Sequence, residues 1–473
     1  MPHDPVPALL ARATELLEAE FTGLPRFAQE ADGEAMARVL EATAKRLGDN
    51  YPYFHPLYAG QLLKPPHPVA RAAYALAMVV NPNNHARDGG RASSEMEIEA
   101  VGEIAQMFGW AECQGSFLGH LTSSGTLANL EALWVAGQLA PGRRIVGSAQ
   151  AHYTHRRISA VLRLDYGEIA ADQSGRMNME ALEAELRKGD VGTVVVTLGT
   201  TAMGAVDPLD EVLALRGRYG FRVHVDAAYG GYFGLIPESL DEPARRAFGA
   251  IGAADSIVID PHKHGLQPYG CGCVLFRDPA VRRFYKHDSP YTYFTSKELH
   301  LRPSEQKSFA GGPVHLGEIS LECSRAGAAA VALWATQKLL PLVPGGEFAR
   351  GLARGRAAAL ELDRRLRADE RFQPLAAGPP QLDMVVWRVK APSAEHASEL
   401  AQRVFDACAA RDLHLALVQL PRSWFEPVHG AESAAQAELI TCLRSVLMKP
   451  EHEEWLDRIW ERLAGACAEA VGN

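Results

Sequence analysis

The seven cysteines of this 473-residue sequence are scattered and odd in number, which excludes a disulfide framework as its organising device. They suit reduced thiols in a cytoplasmic setting. Long apolar runs are also missing. The longest, such as AAYALAMVV, fall far short of the roughly 20 residues that cross a bilayer. Positive charge is in deficit: 48 Lys and Arg against 57 Asp and Glu leave a net charge of −9. That balance argues against nucleic acid or an anionic membrane as partner. The opening MPHDPVPALL lacks a basic region followed by an apolar one, so no signal peptide is expected. There is no internal repeat, no low-complexity linker and no tail of like charges. What remains is 47% hydrophobic and 22% charged, the composition of a globular chain long enough for two or more folding units.

Residues from about 8 to 47 carry apolar side chains at helical spacing and read as helices. DNYPYFHPLYAGQLLKPPHP is rich in proline and aromatics and reads as irregular; Tyr51, Tyr53, Phe54 and Tyr58 suit packing and interfaces better than substrate contact. ASSEMEIEAVGEIAQMFGW is a helix, with Ser94 and Glu97 in capping-box spacing and Val101, Ile104, Ala105 and Phe108 on one apolar face. From residue 120 short β-branched runs alternate with helical stretches. RIVGS, TVVVTL, FRVHVD, SIVID and CGCVLF are the strand candidates, and the alternation predicts an α/β domain on a mainly parallel sheet. After the break LVPGG a smaller α+β unit is expected. The division is 1–75 for an N-terminal helical arm, 76–345 for the large α/β domain and 346–473 for the small C-terminal domain.

Ligands of open α/β sheets sit beyond the carboxyl ends of the strands. RIVGS leads to His152, TVVVTL to Gly199, Thr200 and Thr201, FRVHVD ends in Asp226, and SIVID leads to His262 and Lys263. Four such endings point to one site. Upstream, Thr122, Ser123, Ser124 and Gly125 lead into a helix N-terminus, whose free N–H groups and dipole make an anion site. Walker spacing is absent, so the anion is a single phosphate monoester rather than a nucleotide. A phosphate cradle, a carboxylate, a histidine and a lysine together suit pyridoxal 5'-phosphate. That cofactor needs an amine to bond its aldehyde (Lys263), a carboxylate to keep its ring nitrogen protonated (Asp226), a flat group over the ring (His152) and a small residue beneath (Ala228).

The pieces NPNNHARDGGRASSEMEIEAV, GHLTSSGTLANLEALW, AHYTH, TLGTTAMGAVD, HVDAAYGGYF, DPHKHGLQPYG and SLECSRAG stand in order over about residues 51 to 330. In them the chain resembles the group II pyridoxal-phosphate-dependent amino-acid decarboxylases, the family of aromatic-amino-acid, glutamate and tyrosine decarboxylases. HPLYAGQLLKPPHP and NPNNHA resemble the bacterial tyrosine decarboxylases most.

The resemblance implies pyridoxal-phosphate fold type I (aspartate-aminotransferase-like), a homodimer, and an L-amino acid, tyrosine first, converted to its amine and CO2. It implies that Thr201 lies near His152, that His262 approaches the phosphate, and that His85 and Arg444 meet the substrate. It also implies a loop tyrosine that returns a proton to Cα, with Tyr291 and Tyr293 as candidates and Tyr269 as a third.

Plainer readings stand beside these. His262 and His264 could bracket a metal, but a cation would repel a protonated lysine between them. Cys271 and Cys273 fall on one face of a strand as a buried thiol pair. His85 could be ordinary loop chemistry, and Arg444 a surface ion pair. Other outcomes on the same scaffold are an aldehyde-forming decarboxylase-deaminase, another carbon–carbon lyase, or a glutamate or aliphatic amino-acid decarboxylase. A pyridoxal-phosphate carrier without catalysis is the reading from another class.

Overall fold

Seven strands build the large sheet: β1 (Leu118–Thr122), β2 (Arg144–Ser148), β3 (Tyr166–Ile169), β4 (Val191–Thr197), β5 (Arg222–Asp226), β6 (Ser256–Ile259) and β7 (Gly272–Phe276). The computed structural model describes residues 4–25, 32–85, 89–110, 117–285, 320–375, 378–425 and 439–472. Strand order is β1-β7-β6-β5-β4-β2-β3. The strands from β2 to β6 pair in parallel, while β7 runs antiparallel to both β1 and β6. Every residue of β4, β6 and β7 is buried, as expected of strands covered on both faces. In register, Thr197 lies opposite Asp226 and Asp226 opposite Val258, so the carboxyl ends of β4, β5 and β6 finish level.

The helix Arg91–Met107 buries Val101, Ile104 and Ala105 in the main core. Truncating the fully buried Ile104 to Ala would cost about 2–5 kcal/mol by cavity formation. The capping box expected at Ser94 does not form. The helix starts three residues earlier, at Arg91 after Gly90, and Ser94 and Glu97 are buried within it. Glu97 instead accepts the N–H of Leu121 in β1 at 3.0 Å and pairs with Arg325 at 2.6 Å, a task that outweighs capping.

The second sheet is antiparallel, with β8 (Phe372–Pro374), β9 (Met384–Val389), β10 (Ala416–Pro421) and β11 (Leu439–Val446) in the order β10-β11-β9-β8. The helices Glu347–Ala368, Ala394–Ala409 and His452–Val471 share a core with it around Leu362, Trp387, Leu443 and Leu463. Leu57 and Ala59 join this core. The His414 N–H donates to the Leu57 carbonyl, and the Val446 N–H to that of Ala59. Tyr51, Tyr53, Tyr58 and His414 form an aromatic cluster here. Among the described residues no helix is long and apolar enough to cross a membrane.

Candidate active site

The loops after β2, β4, β5 and β6 converge on a cavity of about 190 Å³. Its lining includes His152, Thr201, Asp226, Ala228, His262 and Lys263, together with Ser124, Gly125 and Thr126 at a helix N-terminus. Gly199, which follows β4, takes φ +102°, a region that L side chains avoid. A Cβ there would stand 3.0 Å from the Gly230 nitrogen, so glycine lets the β4 and β5 loops close on each other.

Asp226 is the last residue of β5. One oxygen accepts the Ala228 N–H at 3.1 Å, and the other lies 2.7 Å from His155 Nε2. Burial alone would raise this carboxyl. The His155 hydrogen bond and the charges of His155 and Lys263 outweigh burial and hold it well below the usual carboxylate range. Asp226 is therefore an anion, and an anion only accepts, so His155 Nε2 carries the proton between them.

Lys263 Nζ lies 2.9 Å from Asp260 Oδ2. Burial would lower this amine, but Asp260, its hydrogen bond and the more distant Asp226 raise it overall. Asp260 also backs the helix N-terminus: a Cβ on Gly125 would meet its carboxylate at 2.5 Å. His152 Nδ1 is 2.8 Å from Thr154 Oγ1, and burial lowers its pKa below the ordinary histidine value. His262 Nδ1 donates to the Cys271 carbonyl at 2.6 Å, and burial lowers it too. His264 turns away toward Asp383, 3.3 Å from Nε2 but without a hydrogen bond among the described residues, so the two histidines beside the lysine face different surroundings.

Ser124 caps the helix Gly125–Leu139 by accepting the Leu127 N–H at 3.2 Å. Ser123 is not in the cavity lining; it is exposed, and its N–H donates to Glu322 at 2.8 Å. Arg444 is buried rather than in a surface ion pair: Nη1 donates to the Thr201 carbonyl at 2.8 Å and Nη2 to Gln61. His85 is half-buried beside Asn83, its Nδ1 enclosed without a partner among the described residues, and does not line this cavity. Tyr269 is exposed, with its ring 4.9 Å from that of His262. Tyr291 and Tyr293 lie outside the described residues. Cys271 and Cys273 are both buried.

Sequence reasoning missed His155 and Asp260. Both had a signal: His155 follows His152 by three residues in AHYTH, one helical turn on, and Asp260 closes SIVID. It also missed a second tier. His224 sits between Asn129 Oδ1 and Ser256 Oγ, each at 2.8 Å, and burial drives it down to about 3, so it is a neutral ring beneath Asp226 and His155.

An α/β chain with a lysine, an aspartate and a helix N-terminus at its strand ends has the architecture of a pyridoxal-phosphate enzyme. In line with this, a solved structure of Oryza sativa TDC with PLP and tryptamine matches with a TM-score of 0.74 over 99% of each chain at 19% identity, a likeness of fold. Residues 52–390 match the pyridoxal-dependent decarboxylase conserved domain, and the chain belongs to that family. The L-tyrosine decarboxylase of Enterococcus faecium is 27% identical over 407 residues, 65% of this chain and 64% of that protein. The L-2,4-diaminobutyrate decarboxylase of Rhizobium meliloti (strain 1021) is 36% identical over 273 residues, 54% of this chain and 51% of that protein. The chain thus matches less than two thirds of the length of either relative.

The residues fit the family's cofactor. An amine, an ionised carboxylate and a helix N-terminus line one cavity, Ala228 leaves room, and the buried Thr197 Oγ1 has no partner among the described residues.

Proposed function

We propose that the chain removes the α-carboxylate of an L-amino acid as CO2 and releases the amine, with L-tyrosine the leading substrate. One observation carries the reading: Lys263, Asp226 and His152 come from three strand ends and line a single cavity with a helix N-terminus. When bound, pyridoxal phosphate supplies the electron sink for the pair released at Cα. Lys263 is the amine that would hold it. Because Asp260 keeps Lys263 charged, that proton must leave Nζ before the amine can act as a nucleophile. His152, with its lowered pKa, is the base within the same cavity. Asp226 would keep a proton on the ring nitrogen, and His155 fixes the carboxylate for that task. The N–H groups at Ser124–Thr126 are the seat for a phosphate. Arg444 does not line the cavity itself; it donates to the carbonyl of Thr201, which does, and from behind that wall its charge is suited to the substrate carboxylate. The Cα proton is returned by Tyr291 or Tyr293.

Support for tyrosine comes from the NPNNHA stretch and from the Enterococcus faecium relative. The diaminobutyrate relative, at higher identity over a shorter stretch, favours a second reading with an aliphatic diamino acid. CO2 release measured across the twenty amino acids, dopa, 5-hydroxytryptophan and 2,4-diaminobutyrate separates the two. Failure of every substrate to give amine would refute the activity.

The same reading includes a homodimer and the three-part division at 75 and 345. Exposed Leu9, Leu16, Met36, Val39 and Leu40 on the first two helices support a paired arm. A cytoplasmic setting is supported by the buried free thiols of Cys271, Cys273, Cys408, Cys442 and Cys467.

A further inference from the structure

Two lysine–proline pairs, Lys64–Pro65 and Lys449–Pro450, have no part in the chemistry above, yet the fold brings them to one place. They line a second cavity of about 560 Å³, which His67, His264, Glu347 and Arg354 also border. Arg354 is committed to Glu453 and Glu454 at 2.8 and 2.7 Å. The two lysines have no such commitment. Lys64 Nζ reaches the Met448 carbonyl at 3.4 Å, and Lys449 Nζ donates to the Tyr58 carbonyl at 2.6 Å. Among the described residues neither pairs with a carboxylate, and most of their donors are uncommitted.

Two lysines lining one cavity with no carboxylate in ion-pair contact among the described residues, Glu347 and Glu451 standing elsewhere on its wall and Glu451 acting on them only at a distance, are an expensive arrangement. We propose that this cavity binds a small oxyanion, of the phosphate or carboxylate class, between Lys64 and Lys449, at a site separate from the Lys263 cavity.

The electrostatics agree. Burial pushes Lys64 down to about 8, against the opposing charges of Asp383 and Glu451. Burial pushes Lys449 down to about 7, helped by the charge of Lys64 and opposed by Glu451. His452, whose Nδ1 accepts the Lys449 N–H, is pushed by burial to about 3 and stays neutral. Burial likewise keeps His264 and His67 below the ordinary value. An anion would restore the lysine charges, so binding takes up protons near pH 7.5. Asp383 lies between the two cavities: it accepts from Tyr229, which lines the first, and stands 3.3 Å from Nε2 of His264, which lines the second.

The test is calorimetry on the holoenzyme, whose own phosphate seat is filled. Inorganic phosphate and malonate are titrated separately at pH 7.5, in two buffers of different ionisation enthalpy. Saturable binding of either probe with proton uptake is expected, and the probe that binds sets the class. Lys64→Met, which keeps the stem and loses the charge, should weaken affinity by about tenfold or more, the scale of one charged contact. Lys449→Met gives an independent arm if one variant fails to fold. No saturable binding, or equal affinity in a folded Lys64→Met protein, overturns the proposal. Neither readout depends on the proposed catalytic activity.

Discussion

Replacing His155 by Phe tests the electrostatic core of the site. His155 is fully buried and its Nε2 stands 2.7 Å from Asp226. The substitution removes that donor and leaves Asp226, among the described residues, with one hydrogen bond, from Ala228. A hydrogen bond to a charged group is worth about 1.5–3 kcal/mol net. Since one pKa unit is about 1.36 kcal/mol, Asp226 should rise by roughly one to two units. It starts far enough below the ordinary range to stay ionised at pH 7. The loss is therefore one of placement and charge balance, and kcat/KM should fall by about tenfold to a hundredfold. His155→Gln, whose amide can donate at similar reach, should recover most of the rate. The assay is steady-state amine formation across pH, together with apoprotein affinity for pyridoxal phosphate read by absorbance. A folded Phe variant within about twofold of wild type in both (a difference under about 0.5 kcal/mol) would refute the reasoning.

Lys263→Ala should retain the cofactor only noncovalently; borohydride reduction that still yields a pyridoxyl adduct on another lysine peptide would contradict this. Asp226→Asn should keep the fold and lose about 3 kcal/mol or more of transition-state stabilisation, checked by kcat. Of Tyr291→Phe and Tyr293→Phe, one should lower amine yield and raise aldehyde and ammonia; two variants with wild-type amine rates would remove that segment from the chemistry. Lys449, held at about 7 when folded, binds fewer protons folded than unfolded up to its ordinary value of about 10.4. It therefore costs stability at pH 7 and stops doing so above that value. The stability gain of Lys449→Met over wild type should shrink as pH rises from 7 to 10 in thermal melts, and a pH-independent difference would count against the buried charge.

Much of the large domain was legible because its strands are buried on both faces. RIVGS, TVVVTL, FRVHVD, SIVID and CGCVLF coincide with β2, β4, β5, β6 and β7 within two residues at each end. The edge strands β1 and β3 were not read: LGHLT and YGEI are short and only partly apolar, so no period develops. Nor was the antiparallel course of β7, because direction depends on the connection and leaves no mark in composition. Lys263, Asp226, His152, Thr201 and Ala228 were legible as residues following strands. His155 was marked only by its spacing from His152, because its contact with Asp226 forms where the loop after β2 meets the end of β5. The lysines of the second cavity were opaque for the same reason, being 385 positions apart (449 − 64) in the chain.

The contacts on either side of residues 286–319 carry a consequence of their own. Just before them, Tyr285 is buried with its ring 6.1 Å from His120 of β1. Just after, Arg325 grips Glu97 and the carbonyl of Leu121, also in β1. Tyr285 and Arg325, 40 positions apart in the chain (325 − 285), are thus both fastened to the same strand. Loosening β1 would therefore release both fastenings together, and Tyr285 and Arg325 are expected to open as one unit.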